Sequence, residues 1–257
     1  MRLFDNAFSP FARKVRLVIE HKRLPCEYVD GLALAHRELL ATSNGRVEVP
    51  VLEDAGVTVV GSSDIVAYLE RVHPADAVYP EQAARWVRAR AWERCADTAI
   101  DPILINLSYW MWAERDDLRP DTWVAAARHD LELVYAALER DLDGNDFVCG
   151  ALSIADIALF PHLVSTRALG LGHDPGRYPR LHAWLKRLRS VPVFAADLER
   201  TKAFVGQFVG GGAHERKKIF WRGERVEWVL ARGFHEWMMR EINEDRVLWP
   251  GLGVPGA

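Results

Sequence analysis

The sequence predicts an α/β module of order βαβαββα over residues 1–75 followed by an all-α helical bundle over 81–205. Three observations carry that reading. Short apolar runs with strand alternation stop at Val60, helical periodicity without any strand signal runs from Glu81 to Val205, and His73-Pro74-Ala75-Asp76 between them has the composition of an interdomain linker. A chain of 257 residues is long enough for two compact domains.

In the first module, residues 2–6 read as a strand, and Phe11 to Lys22 as a helix with Val15, Val18 and Ile19 on one face. Ser9-Pro10 supplies a helix entry, a Ser N-cap followed by Pro at the first helical position. That role alone would account for Ser9; a second reading points its hydroxyl at a ligand. Leu24-Pro25 ends the helix, Cys26 to Val29 alternates like a strand, and Leu32 to Ala41 is patterned weakly enough to hold a short helix. Val49 to Glu53 and Val57 to Val60 form a hairpin around Asp54-Ala55-Gly56. Gly61-Ser62-Ser63-Asp64 then starts a helix whose buried stripe is Ile65, Leu69 and Val72. Pro50 is the oddity, since it removes a ladder donor from a good strand. A cis peptide at a turn accommodates it and leaves the Val49 amide and carbonyl outside the sheet, where they can pair with an extended peptide.

In the second module, Ala83 to Asp101 is a long helix, bent at Pro102 and continuing through Leu107 to Trp112. Asp121 to Leu142 is another. Ser153-Ile154-Ala155-Asp156 matches a capping box with Asp in place of Glu and leads a buried helix through Val164 that contains Pro161. Two shorter helices, Tyr178 to Arg189 and Phe194 to Val205, flank Pro192. Gly206 to Ala213 breaks the pattern. The extension over residues 206–257 holds Trp221, Trp228, Trp237 and Trp249, with helices at Arg222 to Leu230 and His235 to Asn243 and an extended piece at Arg246 to Trp249. A disordered tail would be poor in such residues, so this one packs on something, either the cleft or a dimer surface.

Composition narrows the function classes. The chain is 49% hydrophobic and 27% charged with a net charge of -3, which gives no global basic field for nucleic acid, and Arg216-Lys217-Lys218 reads as a solvated face. No apolar run approaches the ~20 residues of a membrane span, and Met1 to Asp5 lacks a signal peptide's basic and apolar regions, so the expected location is cytoplasmic. The 3 cysteines and 9 histidines form no metal-ligand spacing.

The run Ser9-Pro10-Phe11-Ala12-Arg13-Lys14-Val15-Arg16, the Val49-Pro50-Val51-Leu52 segment, Ser62 in Ser62-Ser63-Asp64-Ile65, and the Ser153 to Asp156 capping box resemble, in order and spacing, the glutathione transferase family over residues 1 to about 205. The resemblance implies a thioredoxin-like first domain, glutathione as co-substrate with no metal, and a homodimer. It makes Ser9 the catalytic residue, donating its hydroxyl to the glutathione sulfur, and places Phe11, His36, Val49, Pro50, Ser62 and Ser63 on the glutathione side. Val49 would pair with the cysteinyl backbone, and the helix start at Ser62-Ser63 would hold the γ-glutamyl carboxylate. A hydrogen bond to a charged acceptor is worth ~1.5–3 kcal/mol, about one or two pKa units of thiol, and the positive helix end at Pro10 adds to it. A small hydrophobic electrophile would lie between the domains against Tyr109, Trp110 and Trp112, for each of which core packing is the competing reading.

Two departures from the family pattern bear on binding. Gly61 stands where an acidic residue usually precedes the Ser, so the γ-glutamyl ammonium needs Asp64 or a residue of a second subunit. Val47-Glu48 stands where Gly and a basic residue are common, so His36 or Arg37 would have to meet the glycyl carboxylate. The reaction expected is conjugation, or a related addition, dehalogenation or isomerisation through the same thiolate. The alternative is a non-catalytic protein of this fold that acts as a regulatory or interaction module through its tail.

Overall fold

Leu3 and Phe4, next to each other in the first strand, point to opposite faces of one sheet and so seed two different cores. In the computed structural model, which describes residues 1–44, 48–112, 115, 118–210, 219–220 and 222–249, β1 (Arg2–Asp5) pairs in parallel with β2 (Glu27–Asp30) and antiparallel with β3 (Val51–Asp54). β4 (Val57–Val60) closes a sheet of order β2-β1-β3-β4. Leu3 and its partner Leu52 pack with Val15, Val18, Ile65 and Leu69 of α1 (Pro10–His21) and α3 (Ser62–Val72). Phe4 and Val51 pack on the other side with Leu40 of α2 (Arg37–Asn44), which follows a 3₁₀ turn at Leu34–His36. The α3 stripe differs from the expectation in one place: Val66 is buried, whereas Val72, the last residue of the helix, lies past the packed face and is 43% exposed.

The helical domain starts with α4 (Ala83–Cys95) and α5 (Asp101–Trp112), joined through a π turn at Ala96–Ile100. Pro102 lacks an N–H and crowds the carbonyl four residues back, and the wider turn just before it absorbs that misfit without ending the helix. α6 (Asp121–Asp141), α7 (Ile154–Ser165), α8 (Pro179–Ser190) and α9 (Pro192–Gly210) complete the bundle. α7 is buried from Ile154 through Leu163 despite Pro161. α9 runs straight through Gly206, where a break was expected: a helical Gly costs only ~1 kcal/mol against Ala, less than packing on α1 and α8 returns.

The extension is part of this core. α10 (Gly223–Ala231) packs on α5, α11 (His235–Asn243) follows it, and β6 (Val247–Leu248) pairs in parallel with β5 (Ile219–Phe220). Trp228, Phe234 and Trp237 join Tyr109, Trp110 and Trp123 in one aromatic cluster, with Phe234 stacked 4.3 Å from Trp123 and Trp237 edge-on to it at 4.7 Å. Trp249 is 54% exposed, and Trp221, like the Arg216-Lys217-Lys218 run, lies outside the described residues. Among the described residues no helix is long and apolar enough to cross a membrane.

Candidate active site

The loop after β1 is built by Asn6, whose side-chain oxygen accepts from the Phe8 N–H (3.0 Å) and whose carbonyl accepts from the Ser9 N–H (3.0 Å). Ser9 is thereby set in extended backbone as the N-cap of α1, and its hydroxyl oxygen accepts from the Ala12 N–H at 3.3 Å. A hydroxyl that accepts still has a proton to give, so capping and donation to a ligand sulfur are compatible. The helix start is held rigidly, since the buried Arg13 pairs with Asp197 of α9 at 2.6 Å and donates to the Pro161 carbonyl of α7 at 3.3 Å.

Phe11, Pro50, Ser62 and Ser63 line one cavity of about 220 Å³ between the sheet domain and the helical domain. Ser9 is half-buried two residues before Phe11, at the positive end of α1. The Val49–Pro50 peptide is cis, and the β1–β3 ladder stops at Phe4–Val51, which leaves Val49 beyond it. Gly61 has φ 90° and ψ 129°, a backbone conformation suited to glycine, so an acidic residue at this position would be strained. Asp64, in the first turn of α3, lines the cavity instead.

The two serines divide their work. Ser62 is the first residue of α3 and is buried, whereas the Ser63 hydroxyl is tied into a buried network in which Lys14 Nζ meets Asp97 (2.7 Å), Glu93 (3.1 Å) and Ser63 (3.3 Å). Lys14 supports the lining from behind, and its carboxylate partners lie 79 and 83 residues away.

His36 is drawn away from the cavity: its Nδ1 sits 2.8 Å from the Asp30 carbonyl, and it is not part of the lining. Tyr109 and Trp110 are each 1% exposed in the aromatic cluster and face the extension rather than the cavity. The reason is covering by Trp237 and Glu241, more than 120 residues downstream; the Tyr109 hydroxyl donates to Glu241 at 2.5 Å, and burial together with that carboxylate pushes its pKa up to about 12. The side chain of Trp112, the Arg37 side chain and Val47 lie outside the described residues.

What sequence reasoning missed is Arg222. From the start of the extension its guanidinium reaches back over the Phe11 ring (5.0 Å to the centroid) and pairs with Glu48 at 3.1 and 3.2 Å, and both Arg222 and Glu224 line the cavity. Burial works against its charge, but Glu48, together with Asp101 and Glu224, outweighs burial and holds the guanidinium above its ordinary value. The start of the extension therefore lines the cleft. A larger cavity of about 270 Å³ between β1 and α9 has other chemistry: its Arg13, Arg16 and Arg200 are already paired with Asp197, Asp5 and Glu20, so its charged groups are committed to the seam between the domains.

Residues 3–77 match the family model described as glutathione S-transferase, N-terminal domain, and residues 121–187 match glutathione S-transferase, C-terminal domain. A probable glutathione S-transferase of Oryza sativa subsp. japonica is 30% identical over 202 residues, 74% of this chain and 84% of that protein. The chain belongs to the glutathione S-transferase family. A glutathione S-transferase structure from Rhodospirillum rubrum F11 superposes with a TM-score of 0.67 at 25% identity, covering 77% of this chain and 91% of that one. A probable maleylacetoacetate isomerase of Vibrio cholerae is 31% identical over 155 residues, 57% of this chain and 69% of that protein. In this family member the extension, with Arg222 and Glu224, lies outside both matched segments.

Proposed function

We propose that the chain is a glutathione transferase in which Ser9 and the N-terminus of α1 hold the glutathione thiol as thiolate for attack on a small hydrophobic electrophile. The observation that carries this reading is Ser9 at a helix start with its oxygen engaged by Ala12 and its proton available, two residues before the cavity wall at Phe11. The thiolate sulfur forms a bond to the electrophilic carbon, and the leaving group departs with the electron pair of the bond that breaks. Val49 offers backbone to the cysteinyl residue, and the first-turn amides at Ser62 and Ser63, at the start of α3 on the cavity wall, suit the γ-glutamyl carboxylate, with Asp64 beside them for the ammonium.

Ser9→Ala removes one hydrogen bond to a charged sulfur, so kcat/KM with a generic aryl halide should fall roughly 10- to 150-fold, the equivalent of ~1.5–3 kcal/mol. The pKa of bound glutathione, followed by ultraviolet thiolate absorbance against pH, should rise by about one or two units. Ser9→Asp separates chemistry from capping: it keeps a good N-cap and should keep the denaturation midpoint, while its negative charge beside the sulfur suppresses turnover. Wild-type protein that neither retains on immobilised glutathione nor turns over the halide overturns the reading, as does Ser9→Ala with unchanged rate and thiol pKa.

A further inference from the structure

The cavity has the wrong charge balance for a ligand with two carboxylates. Glu48, Asp64, Asp97, Asp101 and Glu224 all line it, and Arg222 is the one basic side chain among the described residues of that lining. The cations behind the wall are committed elsewhere. Lys14 is held by Glu93, Asp97 and Ser63 with its side chain 1% exposed, and Arg225 is bound to the buried Asp101 at 2.9 Å. Arg222 differs from both, because its side chain is 31% exposed and its carboxylate partner, Glu48, stands immediately before Val49.

With the γ-glutamyl group at Ser62 and the cysteinyl residue on Val49, the third residue of the tripeptide falls on the Glu48 side. We infer that Arg222, delivered by the C-terminal extension, binds the glycyl carboxylate of glutathione and exchanges its bond to Glu48 for one to the ligand. This assignment rests on the transferase reading above. It gives a physical account of a Glu at a position that faces an anionic ligand: with the ligand absent, Glu48 keeps Arg222 in place by a two-pronged bond, a geometry that a ligand carboxylate can reproduce. It also explains why His36 can be spent on the Asp30 carbonyl.

Binding of glutathione and of glutathione esterified at its glycyl carboxylate, measured by calorimetry on the full chain, tests the exchange. Wild type should lose about 10- to 100-fold in affinity on esterification, the cost of one charge-assisted hydrogen-bond pair. Arg222→Gln should bind glutathione weaker by about the same factor and bind acid and ester alike, and Arg222→Lys should recover part of the preference. Glu48→Gln, which removes the competing carboxylate, should bind glutathione more tightly and keep the preference. Near-ultraviolet circular dichroism of the tryptophan cluster shows that each variant is folded. An Arg222→Gln protein that still prefers the acid as wild type does, a wild type that binds both forms equally, or a Glu48→Gln protein with weakened binding overturns the role of Arg222 and leaves the transferase reading standing. A wild type that binds neither form overturns the transferase reading itself.

Discussion

Asp156→Ala is expected to cost on the order of 3–5 kcal/mol and to lower the urea midpoint of the helical domain accordingly. The Asp156 side chain is fully buried and accepts from the Ser153 N–H (3.0 Å), the Ser153 hydroxyl (3.0 Å), the Val148 N–H (3.0 Å) and the Trp184 indole (2.8 Å). Burial pushes its carboxyl up and these donors pull it back, so the ionised form depends on all of them. Alanine leaves two backbone amides and an indole buried without an acceptor, at roughly 1–3 kcal/mol each where water cannot enter. Asp156→Asn should recover part of the loss, because an amide presents one oxygen to two groups of donors and turns its NH₂ on the other. The contact is checked by a double-mutant cycle with Trp184→Phe: the two changes should cost less together than separately. An unchanged midpoint for Asp156→Ala would show that the capping box does not hold α7. The effect would reach Ser9, since α7 packs against α1 and gives Arg13 its carbonyl at Pro161.

That box was legible in the sequence, and the contrast with Arg222 explains where legibility ends. Ser153 and Asp156 are three residues apart on one helix start, and the strands, the Ser9-Pro10 entry and the 65–69 stripe are likewise set by spacing over a few residues. Arg13 and Lys14, in the same run as Ser9, were invisible as core residues. Each is buried because a carboxylate arrives from 184 and 79 residues away, and no local pattern encodes such an arrival. Tyr109 and Trp110 failed as cleft residues for the same reason, with the covering surface supplied by the extension. By residue type Gly61 reads as a missing acid; its positive φ shows a backbone position that favours glycine and strains an acid. The family resemblance supplied the pocket's first half, and the extension, outside the matched segments, supplied the cation that completes its lining.

The extension should come loose when Glu241 is removed. Glu241 is 1% exposed and takes bonds from Arg246 Nε and Nη2 (both 2.7 Å), Arg115 Nη1 (3.0 Å) and the Tyr109 hydroxyl (2.5 Å), so one carboxylate ties α11 to α5 and to the chain end. Breaking a buried charge cluster costs about 3–5 kcal/mol, and the lower end applies to Glu241→Ala because both arginine side chains are 25% exposed and can turn to water. Amide hydrogen exchange of α10 and α11 should rise by roughly two orders of magnitude while α7 stays protected. The pH dependence has a definite sign. Burial favours the protonated acid, but Arg246, Tyr109 and Arg115 outweigh it and hold Glu241 below the ordinary glutamate value. A carboxyl lowered on folding stabilises the packed extension above its unfolded pKa, near 4.3, and that contribution is lost as pH falls through the lower folded value. Acid should therefore release the tryptophan cluster of the wild type, seen as a red shift in fluorescence, and Glu241→Gln should weaken the packing at neutral pH and flatten this acid transition. Because Arg222 opens the same segment, loosening α10 and α11 should also raise the KM for glutathione. A Glu241→Ala protein with native exchange in α11 and an unshifted KM would separate the anchor from the pocket, where Glu48 and Phe11 hold Arg222.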